Sequence, residues 1–406
     1  MRDFSKRATN RPADRDVEIT AINTCVIEGN FEWNLVTVHT DAGVVGLGES
    51  YRGGGVTEIM SYMERFLIGE NPLDVERLFR RMIQETSGHG GTTGKVVTAA
   101  SGIEIALWDL VGKLTGLPVY QLLGGKYRDE IRIYCDCHTG EAWEAEDGYV
   151  ATHEADAYQP AAYAREAERV VDRGFEALKF DLDQPMDNEP DPFNGRVRRT
   201  DIDRKREIVA AVRDAVGEDV ELAFDVHWDY SFDSAKRLCR ALEPFDLLWL
   251  EDLVPPENMA AQREITRAAN VPIATGENRF RVHEFKELLY EFGVDVITPD
   301  PTTCGGLAES KAIASRAEEN YIVFSPHNVC SPVGTMACVH LAAAIPNFDL
   351  LEYHALEVDW WDDLLVREDP LIEDGRITVP EGPGLGIELD EDVAREHAMD
   401  PGTMLT

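Results

Sequence analysis

The chain is short of positive charge. Its 406 residues include 39 lysines and arginines against 76 aspartates and glutamates, a net charge of −37. Such a surface repels nucleic acid and anionic membranes, so neither is an expected partner. Long apolar runs are also missing. The most apolar stretch, near Val339–Ile345, is too short to span a bilayer. Met1–Asp16 is polar, mixed in charge and without the apolar segment of a secretory signal. These absences predict a soluble, cytoplasmic protein. Cysteine is sparse and odd in number: seven residues, at 25, 135, 137, 239, 304, 330 and 338, which excludes a disulfide framework. Cys135-x-Cys137-His138 has the look of a zinc site, but no second Cys/His pair has the right spacing. The pattern reads instead as a strand with small buried residues.

The acid is dispersed, from Asp363 and Glu368 to Asp390, Glu391 and Asp392, and is not confined to a tail. Such a surface fits a protein kept soluble in a salt-rich, halophilic cytosol, where about 1 M salt shortens charge repulsion to a range of ~3 Å.

What is present is a rhythm. Short apolar runs stop at an acidic residue or a histidine: Ala177–Asp181, Glu221–Asp225, Leu247–Glu251, Pro272–Glu277, Val294–Asp300, Tyr321–His327 and Asp349–Glu352. The last six end at 225, 251, 277, 300, 327 and 352, so successive ends lie 26, 26, 23, 27 and 25 residues apart. A strand, a helix and two turns need about that much chain. With Ile131–Cys135 as a first strand the count is eight, which predicts a parallel barrel of the (β/α)7β, TIM-like type. Upstream, Val17–Ile27, Asn34–Thr40 and Val44–Glu49 predict a three-stranded meander, followed by helices near 56–68, 74–87 and 95–115. The expected domains are an N-terminal α+β capping domain over 1–130, the catalytic barrel over 131–355, and a segment over 356–406 that returns to the capping domain.

Residues at the carboxyl ends of barrel strands converge on one face. Asp225, Glu251 and Glu277 then point at one spot from successive strands. Clustered carboxylates repel unless a cation sits between them, and an all-oxygen set suits Mg²⁺. Taken as i and i+2 on one strand, Asp225 and His227 face the same cavity. The histidine is then a fourth ligand, a general acid or a packed side chain. His327 ends a later strand in Ser325-Pro326-His327-Asn328. Asp300, one strand earlier, is placed to orient its imidazole and make it a better base.

The motifs Gly174-Phe175-Glu176-Ala177-Leu178-Lys179-Phe180-Asp181, Phe224-Asp225-Val226-His227, Trp249-Leu250-Glu251-Asp252, Thr275-Gly276-Glu277-Asn278, Thr298-Pro299-Asp300-Pro301, Ser325-Pro326-His327-Asn328 and Leu350-Leu351-Glu352-Tyr353 resemble the enolase superfamily, mandelate racemase subgroup. The resemblance runs along nearly the whole chain. It implies Mg²⁺ held by Asp225, Glu251 and Glu277, a His327/Asp300 base, and Glu352 hydrogen-bonding the enediolate. It also implies a homo-oligomer. Racemases of the subgroup carry Lys-x-Lys on the second strand. Here the pair is Lys179-x-Asp181, so the usual second base is missing and racemisation is disfavoured. Asp225-x-His227 instead resembles the acid-sugar dehydratases, where that histidine protonates the departing hydroxyl.

The expected reaction is dehydration of an aldonate to its 2-keto-3-deoxy acid. His327 takes the C2 proton and His227 protonates the C3 hydroxyl. Lys179 and Asp181 contact substrate, and Glu352, protonated by burial among other acids, donates a hydrogen bond. D-gluconate, D-galactonate and D-xylonate share configuration at C2 and C3. The distal pocket must separate them, and its expected sources are Asn30–Trp33, Ser50–Gly55, 138–160 and 182–200. The competing readings are a racemase or epimerase of a 2-hydroxy acid and a non-catalytic metal-binding barrel. A barrel hydrolase would need a His-x-His after the first strand, which is absent.

Overall fold

A computed structural model describes residues 16–86, 88, 91–139, 158–183, 194–400 and 405. Most of the expected loop segments, 140–157 and 184–193, therefore lie outside the described residues.

β1 (Ile19–Glu28), β2 (Glu32–Thr40) and β3 (Val45–Ser50) form an antiparallel meander in the order β1-β2-β3. Strand alternation gives it two apolar faces. Val36 and Val38 pack into a core shared with the helices Val56–Glu64, Val75–Thr86 and Lys95–Thr115. Leu35 and Leu47 join the main core, with Ile133, Phe180 and Leu351. The meander is thus buried on both sides. Gly48 lets the long helix lie close on β3: a Cβ there would come within 2.4 Å of the Gly102 carbonyl oxygen. The first helix stops at Glu64, four residues short of the expected 68.

The second sheet is parallel: β4 (Glu130–Cys137), β5 (Ala177–Asp181), β6 (Glu221–Asp225), β7 (Trp249–Glu251), β8 (Ile273–Thr275), β9 (Val296–Ile297), β10 (Val323–Phe324) and β11 (Leu351–Tyr353). Its order is β10-β9-β8-β7-β6-β5-β4-β11. A parallel bridge between Phe324 and Phe348 joins the two ends into a barrel. β12 (Arg376–Thr378) adds to β4 antiparallel.

Two buried carboxylates tie the meander and its long helix to barrel helices. Glu49 accepts from the Ser331 and Gly334 amides at 3.0 and 2.8 Å, at the start of the helix Pro332–Ala343. Glu104 accepts from the Leu307 and Ala308 amides at 2.8 and 3.0 Å, at the start of Gly306–Glu319. A helix amino terminus leaves amides without partners and favours negative charge. These two helices follow the strand ends that carry Asp300 and His327. The C-terminal stretch bonds to the same region: the Leu385 amide donates to Asp109 at 2.8 Å, and the Met399 amide to the Val26 carbonyl at 2.9 Å.

Candidate active site

The strands are shorter than the apolar runs. Asp225 and Glu251 are the last residues of β6 and β7, while Glu277, Asp300 and His327 lie two or three residues beyond β8, β9 and β10. Gly276 makes the turn after β8. Its φ is 156°, and a Cβ would sit 2.9 Å from the Thr298 amide nitrogen.

The three carboxylates do meet. Asp225, Glu251 and Glu277 each offer an oxygen within 4.8 Å of the others. Glu251 Oε1 is buried with no hydrogen-bond partner among the described residues. Its other oxygen accepts from Trp249 Nε1 at 3.0 Å. Burial pushes the Glu251 carboxyl up to about 7, with Lys179 opposing and Asp225 adding to the rise. Glu277 is raised too, again mainly by burial. An all-oxygen set with an orphaned buried acceptor and mutually repelling charges fits a hard divalent cation.

Lys179 stands inside this cluster, 2 % exposed. Its Nζ is 2.5 Å from Glu352 and 3.4 Å from each of Asp136, Asp225 and Glu251. Burial would favour the neutral amine, but the carboxylates hold its pKa well above the usual lysine value. The same contacts correct the expectation for Glu352. Burial raises its carboxyl, yet Lys179, His327 and the Asn328 amide at 2.8 Å outweigh that and hold it below the usual carboxylate range. In this structure Glu352 is an acceptor.

His327 Nδ1 is 2.9 Å from Asp300 Oδ2. Asp300 is itself fixed by the Thr302 amide and hydroxyl at 2.7 and 2.6 Å. His327 Nε2 faces Glu277 at 3.6 Å and Glu352 at 3.9 Å. Burial lowers its pKa, and these neighbouring carboxylates raise it further than burial lowers it.

His227 reaches the pocket by another route than strand alternation. β6 ends at Asp225, and His227 and Trp228 both have positive φ, 40° and 62°. The His227 amide donates to Asp225 Oδ1 at 2.9 Å and the Trp228 amide to the Asp252 carbonyl at 2.5 Å. A tight left-handed turn, not the pleat, aims the ring. His227 Nδ1 is 2.9 Å from Asp183, and Asp181 stands 3.9 Å away. Burial lowers the ring's pKa, and Asp225, Asp181 and Asp183 raise it further than burial lowers it. Burial pushes Asp181 up to about 8, with His227 opposing. β6 and β10 are four strands apart in a ring of eight. The two histidines therefore face each other across the barrel mouth.

A cavity of about 370 Å³ lies between them, lined by Lys179, Asp181, Glu277, His227 and His327 on the barrel side. Phe31, Tyr51 and Arg52 close it from the meander, the Arg52 guanidinium 3.8 Å above the Phe31 ring. Trp33, expected at the distal pocket, is instead core, 1 % exposed. Sequence reasoning passed over Asp136, Asp183 and His354, which also line the cavity. Asp183 continues the two-residue spacing of Lys179 and Asp181, a signal that was there to use. Asp136 was hidden because the first strand runs on to Cys137. Cys135 and Cys137 are buried strand residues, and all seven cysteines are free.

Residues 162–393 match the family described as enolase C-terminal domain-like, and residues 19–124 match the mandelate racemase / muconate lactonizing enzyme N-terminal domain. The chain is 48 % identical over 409 residues to a D-xylonate dehydratase of Haloferax volcanii, covering 100 % of this chain and 95 % of that protein. It is 30 % identical to a D-galactonate dehydratase of Variovorax paradoxus over 89 % of each. A mandelate racemase/muconate lactonizing enzyme-like protein from Rubrobacter xylanophilus superposes with a TM-score of 0.90 at 42 % identity, covering 96 % of this chain and 99 % of that one.

Proposed function

The chain belongs to the mandelate racemase / muconate lactonizing enzyme group of the enolase superfamily, and from that premise we propose that it is a hydro-lyase that dehydrates a sugar acid, with D-xylonate as first candidate. The observation that carries this reading is the pair of carboxylate-bound histidines facing each other across the mouth, beside the acidic trio. The likeness to a D-xylonate dehydratase along the whole chain ranks the substrates.

Asp225, Glu251 and Glu277 would hold Mg²⁺, which when bound supplies a positive charge to offset the negative charge that grows on the substrate carboxylate. His327 accepts the C2 proton at Nε2, because Asp300 occupies Nδ1. His227, kept protonated between Asp183 and Asp181, delivers a proton to the C3 hydroxyl, which leaves as water. The enol then tautomerises to the 2-keto-3-deoxy acid. Lys179 and Glu352 form a charge-paired floor beneath the carboxylate. Asp181 stands where the racemase pattern has a second lysine. At that position it supports an acid on the second face and does not supply a base.

A panel of C5 and C6 aldonates, scored for 2-keto acid, tests the reading. D-xylonate should give the highest kcat/KM, EDTA should abolish turnover, and Mg²⁺ should restore it. Full activity after exhaustive chelation, or no keto acid from any aldonate, would overturn it.

A further inference from the structure

Beside the acidic trio lies a second polar group that the proposed reaction leaves unused. Asp136, His138 and His354 offer ligand atoms within 4.8 Å of one another. Two imidazoles and a carboxylate at that spacing suit a transition metal. The neighbouring hydrogen bonds argue for something else. Trp33 Nε1 can only donate, and it lies 2.9 Å from Asn30 Oδ1. That fixes the Asn30 amide, whose Nδ2 must then donate. It stands 3.0 Å from His354 Nδ1 and 3.4 Å from the Val329 carbonyl. His354 Nδ1 is therefore an acceptor, and the neutral ring carries its proton on Nε2. That proton points at His138 Nε2, 2.9 Å away. His138 Nε2 must accept, so its proton sits on Nδ1. His138 Nδ1 faces Asp181 Oδ2 at 3.7 Å. The other oxygen of Asp181 faces His227 at 3.9 Å.

We propose that Trp33, Asn30, His354 and His138 form a one-directional donor chain that crosses from the loop before β2 to the barrel strands and sets Asp181 in place against His227. Its three hydrogen bonds all run toward His138, whose Nδ1 proton faces Asp181 at 3.7 Å, an electrostatic contact and not a fourth hydrogen bond. Asn30, His354 and His138 are positioning residues, and none needs to touch the reacting atoms. Burial favours neutral rings at both members: it lowers the His138 pKa well below the ordinary value and the His354 pKa to about 3. A metal at this point would need the Nε2 lone pair of His354, which the tautomer set by Asn30 denies. The positioning role rests on the proposed acid function of His227, whereas the direction of the chain does not.

The test is Asn30→Asp, which keeps size and shape and replaces the donor with an acceptor. The carboxylate still accepts from Trp33, but its second oxygen now requires His354 Nδ1 to donate. Both tautomers must then reverse, and the His138 lone pair turns toward Asp181. With ring-¹⁵N histidine, the wild type should show His354 protonated on Nε2 and His138 on Nδ1, the signals assigned by their loss in His354→Gln and His138→Gln. Asn30→Asp should reverse both. Dehydration of the aldonate should fall by up to about 100-fold, and elimination from a C3-fluoro analogue, which needs no acid, should fall far less, so the ratio of the two rates shifts toward the fluoro compound. A wild type with His138 protonated on Nε2, or a variant in which neither tautomer moves, would overturn the chain. Reversed tautomers with an undiminished aldonate rate would overturn its positioning role. If no aldonate is dehydrated, the nitrogen signals still decide the direction of the chain, and only the proposed function fails.

Discussion

His227 and His327 are each gripped at Nδ1 by a carboxylate, at 2.9 Å in both cases, yet they are suited to opposite tasks. His227 has Asp183 at hydrogen-bond distance, a carboxylate outside the acidic trio, so negative charge stays beside its ring even when Asp225 holds a cation. His327 Nε2 faces Glu277, and a cation on that carboxylate would cancel much of the field that raises its pKa. The environments thus separate an acid from a base. His327→Asn should abolish aldonate dehydration and also elimination from the C3-fluoro analogue. His227→Asn should lose ~10²–10⁴ in rate on the aldonate and keep near wild-type elimination of fluoride. Both variants equally inactive on the fluoro compound would refute the division of roles.

Single elements hold this site through buried carboxyl groups. Glu49 and Glu104 each sit at the amino terminus of a barrel helix that follows a site-bearing strand. Burial pushes both carboxyls from 4.5 up to about 7, against the opposing pull of their amide hydrogen bonds. The folded chain then binds these protons more tightly than the unfolded one. Their contribution to stability is complete below about pH 4.5 and is lost as pH rises to about 7, amounting to roughly 3 kcal/mol each at most. Glu104→Gln removes one titrating group. The difference in urea unfolding free energy between pH 5 and pH 8 should shrink in the variant relative to the wild type. An equal difference in both would show that Glu104 titrates the same way folded and unfolded.

On the scale of the whole molecule the dominant fact is the net charge of −37. Packing that charge into a compact state costs self-repulsion, which salt screens. The melting temperature should therefore rise as KCl increases from low to molar concentration. A flat or falling melting curve would remove the argument for adaptation to a saline cytosol. No helix among the described residues is long and apolar enough to cross a membrane.

The barrel and the trio Asp225, Glu251 and Glu277 were legible in the chain because strand length and helix length set a period near 26 residues. An acidic residue closing each run needs no distant information to be noticed. The meander was legible for the same reason, since alternation and the turn at Asp41–Gly43 are local. What stayed hidden depends on contacts between residues far apart in sequence. His227 turns inward because its neighbour bonds to Asp252, just past the end of the next strand, which alternation cannot foresee. Glu352 is an acceptor because Lys179, 173 residues earlier (352 − 179), lies 2.5 Å away. The direction of the donor chain is set where Asn30 meets His354, 324 positions apart. Periodicity fixes where a side chain enters the barrel mouth. The state of its proton is fixed only by the partners that folding brings to it.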